Sequence, residues 1–314
     1  MRRKVIKQGN NTLTITLPRE WTSKHGINAG DELDIDKLDN TLVISGHGEF
    51  KEKKIQVDIT GLDRTTILVL LQGLYRFGYD KIEIICDDNM VVHHRVGKKK
   101  NVSELIYEIT NRFVGAEVVS ASARRFVVKR IAEESMADFD TVLRRIFFLL
   151  NEMMDTFVDA CKKGDLELMK TIEFKHVNIK KFINSCLRLL NKFGMPSPSK
   201  NCFYFNIISS ISKAEDVIKN NSRYFVKYEM KSKTPMYFSL LGDIKEHVKM
   251  YYALFYKYDL RKIAKLNENR DLFRERLFKC RKDLSKDENI LIGGLSVIVE
   301  MVLDMSETRM AMEE

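Results

Sequence analysis

Proline is almost absent from this chain of 314 residues. There are four, and three of them, Pro196, Pro198 and Pro235, stand in the second half as isolated breaks. Glycine is scarce there too, because ten of the fifteen lie at or before Gly115. A segment with so few breakers is not turn-rich; it has room for long helices. The five cysteines, Cys86, Cys161, Cys186, Cys202 and Cys280, are odd in number and include no CxxC pair. That points to reduced, mostly buried thiols rather than to a disulfide framework. The six histidines show no HxxxH or HExxH spacing, and the adjacent His93 and His94 would point to opposite faces of a strand, too far apart to share one ion. No P-loop, GxGxxG or GxSxG motif occurs, so no catalytic constellation assembles and the chain reads as non-enzymatic. No uninterrupted apolar run approaches bilayer length, and Met1-Arg2-Arg3-Lys4 leads into a polar-interrupted segment rather than an apolar signal core. The expectation is a cytoplasmic protein that is not an integral membrane protein.

What is present is a globular composition, 44% hydrophobic and 31% charged, long enough for two or three domains with cores of their own. The net charge of +9 suggests an acidic partner such as nucleic acid, although a charge total says nothing about fold.

Residues 1–48 alternate like short strands around one short helix. Lys4 to Lys7 and Thr12 to Leu17 are strand-like on either side of the turn Gln8-Gly9-Asn10-Asn11, and Pro18 opens a helix that stops near Gly26. After the turn Asn28-Ala29-Gly30-Asp31, Glu32 to Asp36 and Thr41 to Ile44 form a hairpin across Leu38-Asp39-Asn40. About 45 residues make a poor core for an independent monomer, and dimerisation is the physical remedy. Residues 51–130 predict a small α/β unit: strands at Lys54–Asp58, Lys81–Ile85, Glu117–Val119 and Phe126–Val128, helices at Leu62–Phe77 and Val102–Phe113, and a basic loop from Arg95 to Lys100. Residues 131–314 carry apolar positions at three- and four-residue spacings and predict six helices in two sets, about 131–230 and 236–314, divided at Pro235. The fold class is therefore multidomain α+β, ending in an all-α pair of three-helix bundles.

Charge is unevenly placed at the N-terminus. Residues 1–30 hold six cations against Glu20, a net +5, whereas residues 31–45 hold Lys37 against five acids, a net −4. A dimer would double the basic end, and phosphate contacts there would release counterions; a merely solvated face has the same composition.

The run Val5 to Trp21, with its "LP" before a short helix, followed by Gly26 to Leu33 with its "GD" turn, resembles the AbrB/MazE/SpoVT swapped-hairpin family. The resemblance covers about 45 residues. It implies an obligate dimer of interleaved hairpins, with Arg2, Arg3, Lys4, Lys7 and Arg19 as the DNA-contacting side chains. Some members use the module only to dimerise or to meet a toxin. The two helical sets resemble the PhoU phosphate-uptake regulators, and the combination is similar to archaeal PhoU-related regulators. That resemblance implies a regulator of phosphate uptake whose helices dock a phosphate transporter, a kinase or another signalling protein; the alternative is an adaptor that binds no DNA. PhoU helices often carry an E/DxxxD pattern, in which carboxylates four residues apart share one helix face and can hold a divalent or iron-type metal. Glu300 and Asp304 match it in the last helix and Asp271 matches at one end in the helix before, so any metal is expected at the second repeat. In the first repeat the corresponding pairs are Phe174 with Asn178 and Ile211 with Glu215, which supply only one carboxylate.

Overall fold

The computed structural model describes residues 1–9, 12–38, 41–46, 52–195, 197–231 and 234–313. The chain divides into two compact units, Met1–Glu52 and Lys53–Glu314.

In the first unit, strands β1 (Ile6–Gln8) and β2 (Thr12–Thr14) pair antiparallel, with Lys7 opposite Leu13. Pro18 opens helix α1 (Arg19–His25), and Gly26, at φ 68°, ends it in the left-handed conformation that a side chain would resist. Asp31 then accepts the Asn28 backbone N–H at 2.7 Å and closes the next turn. Strands β3 (Leu33–Leu38) and β4 (Thr41–Gly46) form the second antiparallel hairpin. The middle of the turn expected at residues 8–11 and the residues Asp39 and Asn40 lie outside the described residues. Among the residues of this unit whose side chains the structure describes none is buried, and Val5, Ile6, Leu13, Ile15, Ile35 and Leu42 are each more than half exposed.

The second unit opens with an α/β layer: β5 (Lys54–Asp58), α2 (Arg64–Phe77), β6 (Lys81–Ile85), a hairpin of β7 (Met90–His93) and β8 (Lys98–Asn101), α3 (Val102–Thr110), β9 (Ala116–Ala121) and β10 (Arg125–Arg130). The four-stranded sheet has the order β5-β6-β10-β9; β5 and β6 are parallel and the other pairs antiparallel. Ile82 pairs with Val128 and Ile84 with Phe126, so buried residues share one face and form a core with Ile67 and Leu71 of α2 and Leu105, Ile106 and Ile109 of α3. Asp63 caps α2 by accepting the Thr65 backbone N–H at 2.8 Å. The basic segment expected to be a loop instead carries β8, with Lys98 opposite His93 and Lys100 opposite Val91. Its side chains are almost all polar, so no apolar alternation marked it as a strand.

Six long helices follow: α4 (Phe139–Lys163), α5 (Leu166–Lys192), α6 (Ser199–Lys227), α7 (Pro235–Tyr256), α8 (Leu260–Cys280) and α9 (Lys286–Ala311). Gly164, at φ 63°, ends α4, and Asp165 caps α5 by accepting the Leu168 backbone N–H at 2.8 Å. Ser285 and Glu288 form a capping box at the start of α9. Glu288 also accepts from the Thr234 N–H and hydroxyl, fastening α9 to the start of α7. The two sets of three helices do not keep separate interiors: one hydrophobic core runs from Phe139 through Met153, Ile183 and Ile211 to Leu254 and Leu295. Among the described helices only α9 is long and apolar enough, by length and composition, to cross a membrane. Glu300 and Asp304 interrupt its apolar run, which is why no unbroken stretch marked it in the sequence. In this unit its residues Leu291, Leu295 and Val302 are core.

Two adjacent glycines of α9 have opposite surroundings. A Cβ on Gly294 would lie 2.7–3.2 Å from the side-chain amide of the buried Asn221 on α6, whereas one on Gly293 meets nothing within 4 Å. Gly294→Ala should cost about 1–3 kcal/mol by overpacking. Gly293→Ala should stabilise by up to about 1 kcal/mol through helix propensity. Urea unfolding of the two variants checks the contrast; equal effects would contradict the close α6–α9 approach.

Candidate functional site

The side chains of Arg2, Arg3, Lys4, Lys7 and Arg19 are all exposed, Lys7 on β1, Arg19 at the first turn of α1, and the other three ahead of β1. They lie in one unit, exposed and without an ion pair among the described residues. In water such charges attract an anion only weakly one by one, and a polyanion more strongly together.

The acids of the second helical set do not converge. Asp271 is exposed and pairs with its neighbour Arg270 at 2.8 Å. Glu300 lies 3.6 Å from Arg274, and Asp304 is exposed. Among the described residues, the only set of three whose ligand atoms lie within 4.8 Å of one another is His176, Glu215 and Asp216, in the first set. His176 Nδ1 is 2.5 Å from Glu215 Oε2. Lys180 Nζ is 2.5 Å from Glu215 Oε1 and 2.9 Å from Asp216 Oδ2, and Lys219 takes the other Asp216 oxygen. Burial alone would raise the Asp216 carboxyl, but these two ammonium groups hold it down at about 2. The carboxylates thus already have cations, and a divalent ion would have to displace a lysine.

This cluster is the floor of a cleft of about 510 Å³ between the α/β layer and the helices. Helix α2 contributes Arg64 and Gln72 to its walls, the β7–β8 hairpin His93, Arg95 and Lys100, α3 Glu108, and the turn just after α3 Arg112. Helix α5 adds Glu173, His176 and Lys180, and α6 adds Asp216, Lys219 and Arg223. With Glu215 behind the floor, seven lysines and arginines face four carboxylates. Glu108 gathers Arg64 at 2.5 Å, Lys100, and Arg112 at 3.4 Å. Burial by itself would raise the Glu108 carboxyl, yet Lys100 and Arg64 hold it below the usual carboxylate range. Arg223 forms a two-pronged pair with Glu173, its Nε at 2.9 Å and Nη2 at 2.5 Å. Three buried donors of the cleft nevertheless have no acceptor among the described residues: Gln72 Nε2, Arg112 Nε and Arg223 Nη1. An unmade buried hydrogen bond costs about 1–3 kcal/mol.

Behind the cleft, α5 is joined to α2 by polar residues at four- and seven-residue spacing. Asn184 accepts from Arg76 Nε at 2.8 Å and donates to the Arg112 carbonyl at 3.1 Å, and Asn191 donates to the Arg76 carbonyl at 2.8 Å. Between them, Arg188 is fully buried. It donates to Glu134 and Asp80 at 2.6 Å each and to the Tyr75 and Tyr79 carbonyls at 2.9 and 2.7 Å. Lys192 and Arg130 complete the pairing of Asp80 at 2.7 and 3.1 Å. Sequence reading marked none of these residues, because each looks like an ordinary helix charge until α2 and α5 meet.

Residues 6–54 match the family model described as "Antidote-toxin recognition MazE, bacterial antitoxin". No curated protein matches the chain. Among solved structures, a protein described as a PhoU-like phosphate regulatory protein from Shewanella oneidensis MR-1 is similar at 11% identity, over 53% of this chain and 94% of that one, with a TM-score of 0.42. A second PhoU-like protein from the same organism is similar at 11% identity, over 57% and 96% of the two chains, with a TM-score of 0.38. Neither bears on the archaeal detail of the resemblance.

Proposed function

We propose that the chain is a dimeric, DNA-binding regulator of phosphate uptake, acting in the cytoplasm. In this reading the N-terminal unit dimerises and meets DNA through Arg2, Arg3, Lys4, Lys7 and Arg19, and the helices dock a transporter, a kinase or another regulator. The observation that carries it is the N-terminal unit itself: a segment matching the MazE model in which none of the side chains the structure describes is buried, while apolar side chains are exposed on both hairpins. A β-module without a core needs a second copy to cover those side chains, and joining two copies brings two net +5 segments into one particle. The phosphate-uptake part rests on the helix layout described from the sequence. An adaptor whose N-terminal unit only dimerises is the second reading, favoured if DNA binding is absent or indifferent to salt. Both require the dimer, so deleting residues 1–45 should leave a monomer in sedimentation velocity; a truncated chain that dimerises with unchanged affinity would sink them together. Mapping of bound DNA across a genome under phosphate plenty and starvation separates the two readings.

A further inference from the structure

We propose that the cleft between the α/β layer and helices α5 and α6 binds a phosphate-bearing anion of small-molecule size, with Arg95, Arg112, Arg223 and the Gln72 amide as its donors. The first support is the imbalance of donors and acceptors. Arg112 is only 8% exposed, yet its Nε has no acceptor among the described residues, and Arg223 Nη1 and Gln72 Nε2 share that condition in the same cleft. A group rich in oxygen acceptors is the class of ligand that such donors call for. Arg95 lines the opening from the β7–β8 hairpin without an ionic partner among the described residues, and its charge adds to the excess of cations over carboxylates. Planar guanidinium groups match the oxygens of phosphate two at a time, whereas a lone ammonium acts as a point charge.

Size and lining narrow the class. About 510 Å³ lies within the usual range for ligand cavities and exceeds what one phosphate ion fills. Leu68, Val69 and Val96 give the cleft an apolar wall beside its cationic one. A phosphorylated compound with a flat or apolar portion, of nucleotide size, fits both walls; free phosphate shares only the charged half. A metal ion is the poorer fit, since Lys180 and Lys219 already pair with Glu215 and Asp216, and His176 Nδ1 occupies the other Glu215 oxygen. This inference does not depend on the DNA reading, because ligand uptake is measured on the full chain with no DNA present.

The test is calorimetric titration of the full-length protein with ADP, with inorganic phosphate and with Mn²⁺ alone. Saturable binding of ADP or of phosphate is expected, and the stronger of the two identifies whether an organic phosphate or the free ion is the natural source. Arg95→Ala, which removes an exposed side chain with no ionic partner among the described residues, should weaken that binding several-fold without moving the melting midpoint of the free protein. Arg112→Gln should weaken it roughly tenfold or more, in line with a lost hydrogen bond to a charged group. The proposal is overturned if neither anion binds at millimolar concentration, if both variants bind like the parent, or if Mn²⁺ alone binds and Glu215→Gln abolishes it.

Discussion

Replacing Arg188 by Ala is expected to destabilise the Lys53–Glu314 unit by about 3–5 kcal/mol, the usual cost of removing one partner from a buried ionic network. For a unit of this size that is a fall in melting midpoint of roughly 6–20 °C. The loss has two parts: Asp80 and Glu134 each lose a guanidinium donor at 2.6 Å, and the Tyr75 and Tyr79 carbonyls at the end of α2 lose theirs. The Tyr75 ring also loses the guanidinium carbon 4.9 Å from its centre. Lys192 and Arg130 remain beside Asp80, so a drop under about 1 kcal/mol would mean that they suffice and that Arg188 is redundant. The network leaves an acid signature. Burial alone would raise the Asp80 carboxyl, but Lys192, the Lys53 backbone N–H and Arg188 hold it below its ordinary value of 3.8, and Asp216 is held at about 2. Carboxyls depressed in the folded state contribute stability that is present above their unfolded value and lost as pH falls through the folded one. Stability should therefore decline from about pH 4 downward, and the part due to Asp80 should shrink in the Arg188→Ala protein.

The second large effect concerns DNA. Replacing Arg2, Arg3 and Lys7 together by Ala should weaken binding across all sequences tested, because phosphate contacts supply affinity and register but little sequence information. The slope of log K against log salt should flatten by about one unit per lost contact, and by about five if all six side chains of a dimer touch phosphate. All three residues are exposed, so sedimentation and melting should change little. Fluorescence anisotropy over a salt series reads both quantities. An unchanged affinity and slope would make the basic end a solvated surface and put the adaptor reading first.

The helices were legible because their signals are local. Apolar spacing marked each one, and Gly164, Pro235 and Ser285 with Glu288 mark ends that the caps explain. The first hairpins were legible for the same reason, through alternation around Pro18 and Gly26. Strand β8 was not, since Lys98, Lys99 and Lys100 carry no apolar face and are held by pairing with β7. The cleft was not legible at all. Its charged residues run from Arg64 to Arg223 on five elements, and no short motif joins them. Glu215 came into view only as one end of a four-residue pattern with Ile211, but Ile211 is core and the partners of Glu215 are Lys180 and His176 on a neighbouring helix, His176 lying 39 positions away.

The distribution of two residue types gives the two units separate optical signatures. Trp21 is the single tryptophan, half-buried on α1 with its ring tilted against His25 at a centroid distance of 5.5 Å. All eleven tyrosines lie beyond Glu52, and four of them crowd the end of α7 and the residues just after it, at 251, 252, 256 and 258. Tryptophan emission therefore follows the N-terminal unit alone, and the near-ultraviolet dichroism of tyrosine follows the α/β and helical unit. A transition that includes dissociation of a dimer moves with protein concentration, and one confined to a single chain does not. On heating a dilution series, the tryptophan curve should shift from sample to sample while the tyrosine curve stays in place, so one unlabelled sample reports assembly and chain stability at the same time.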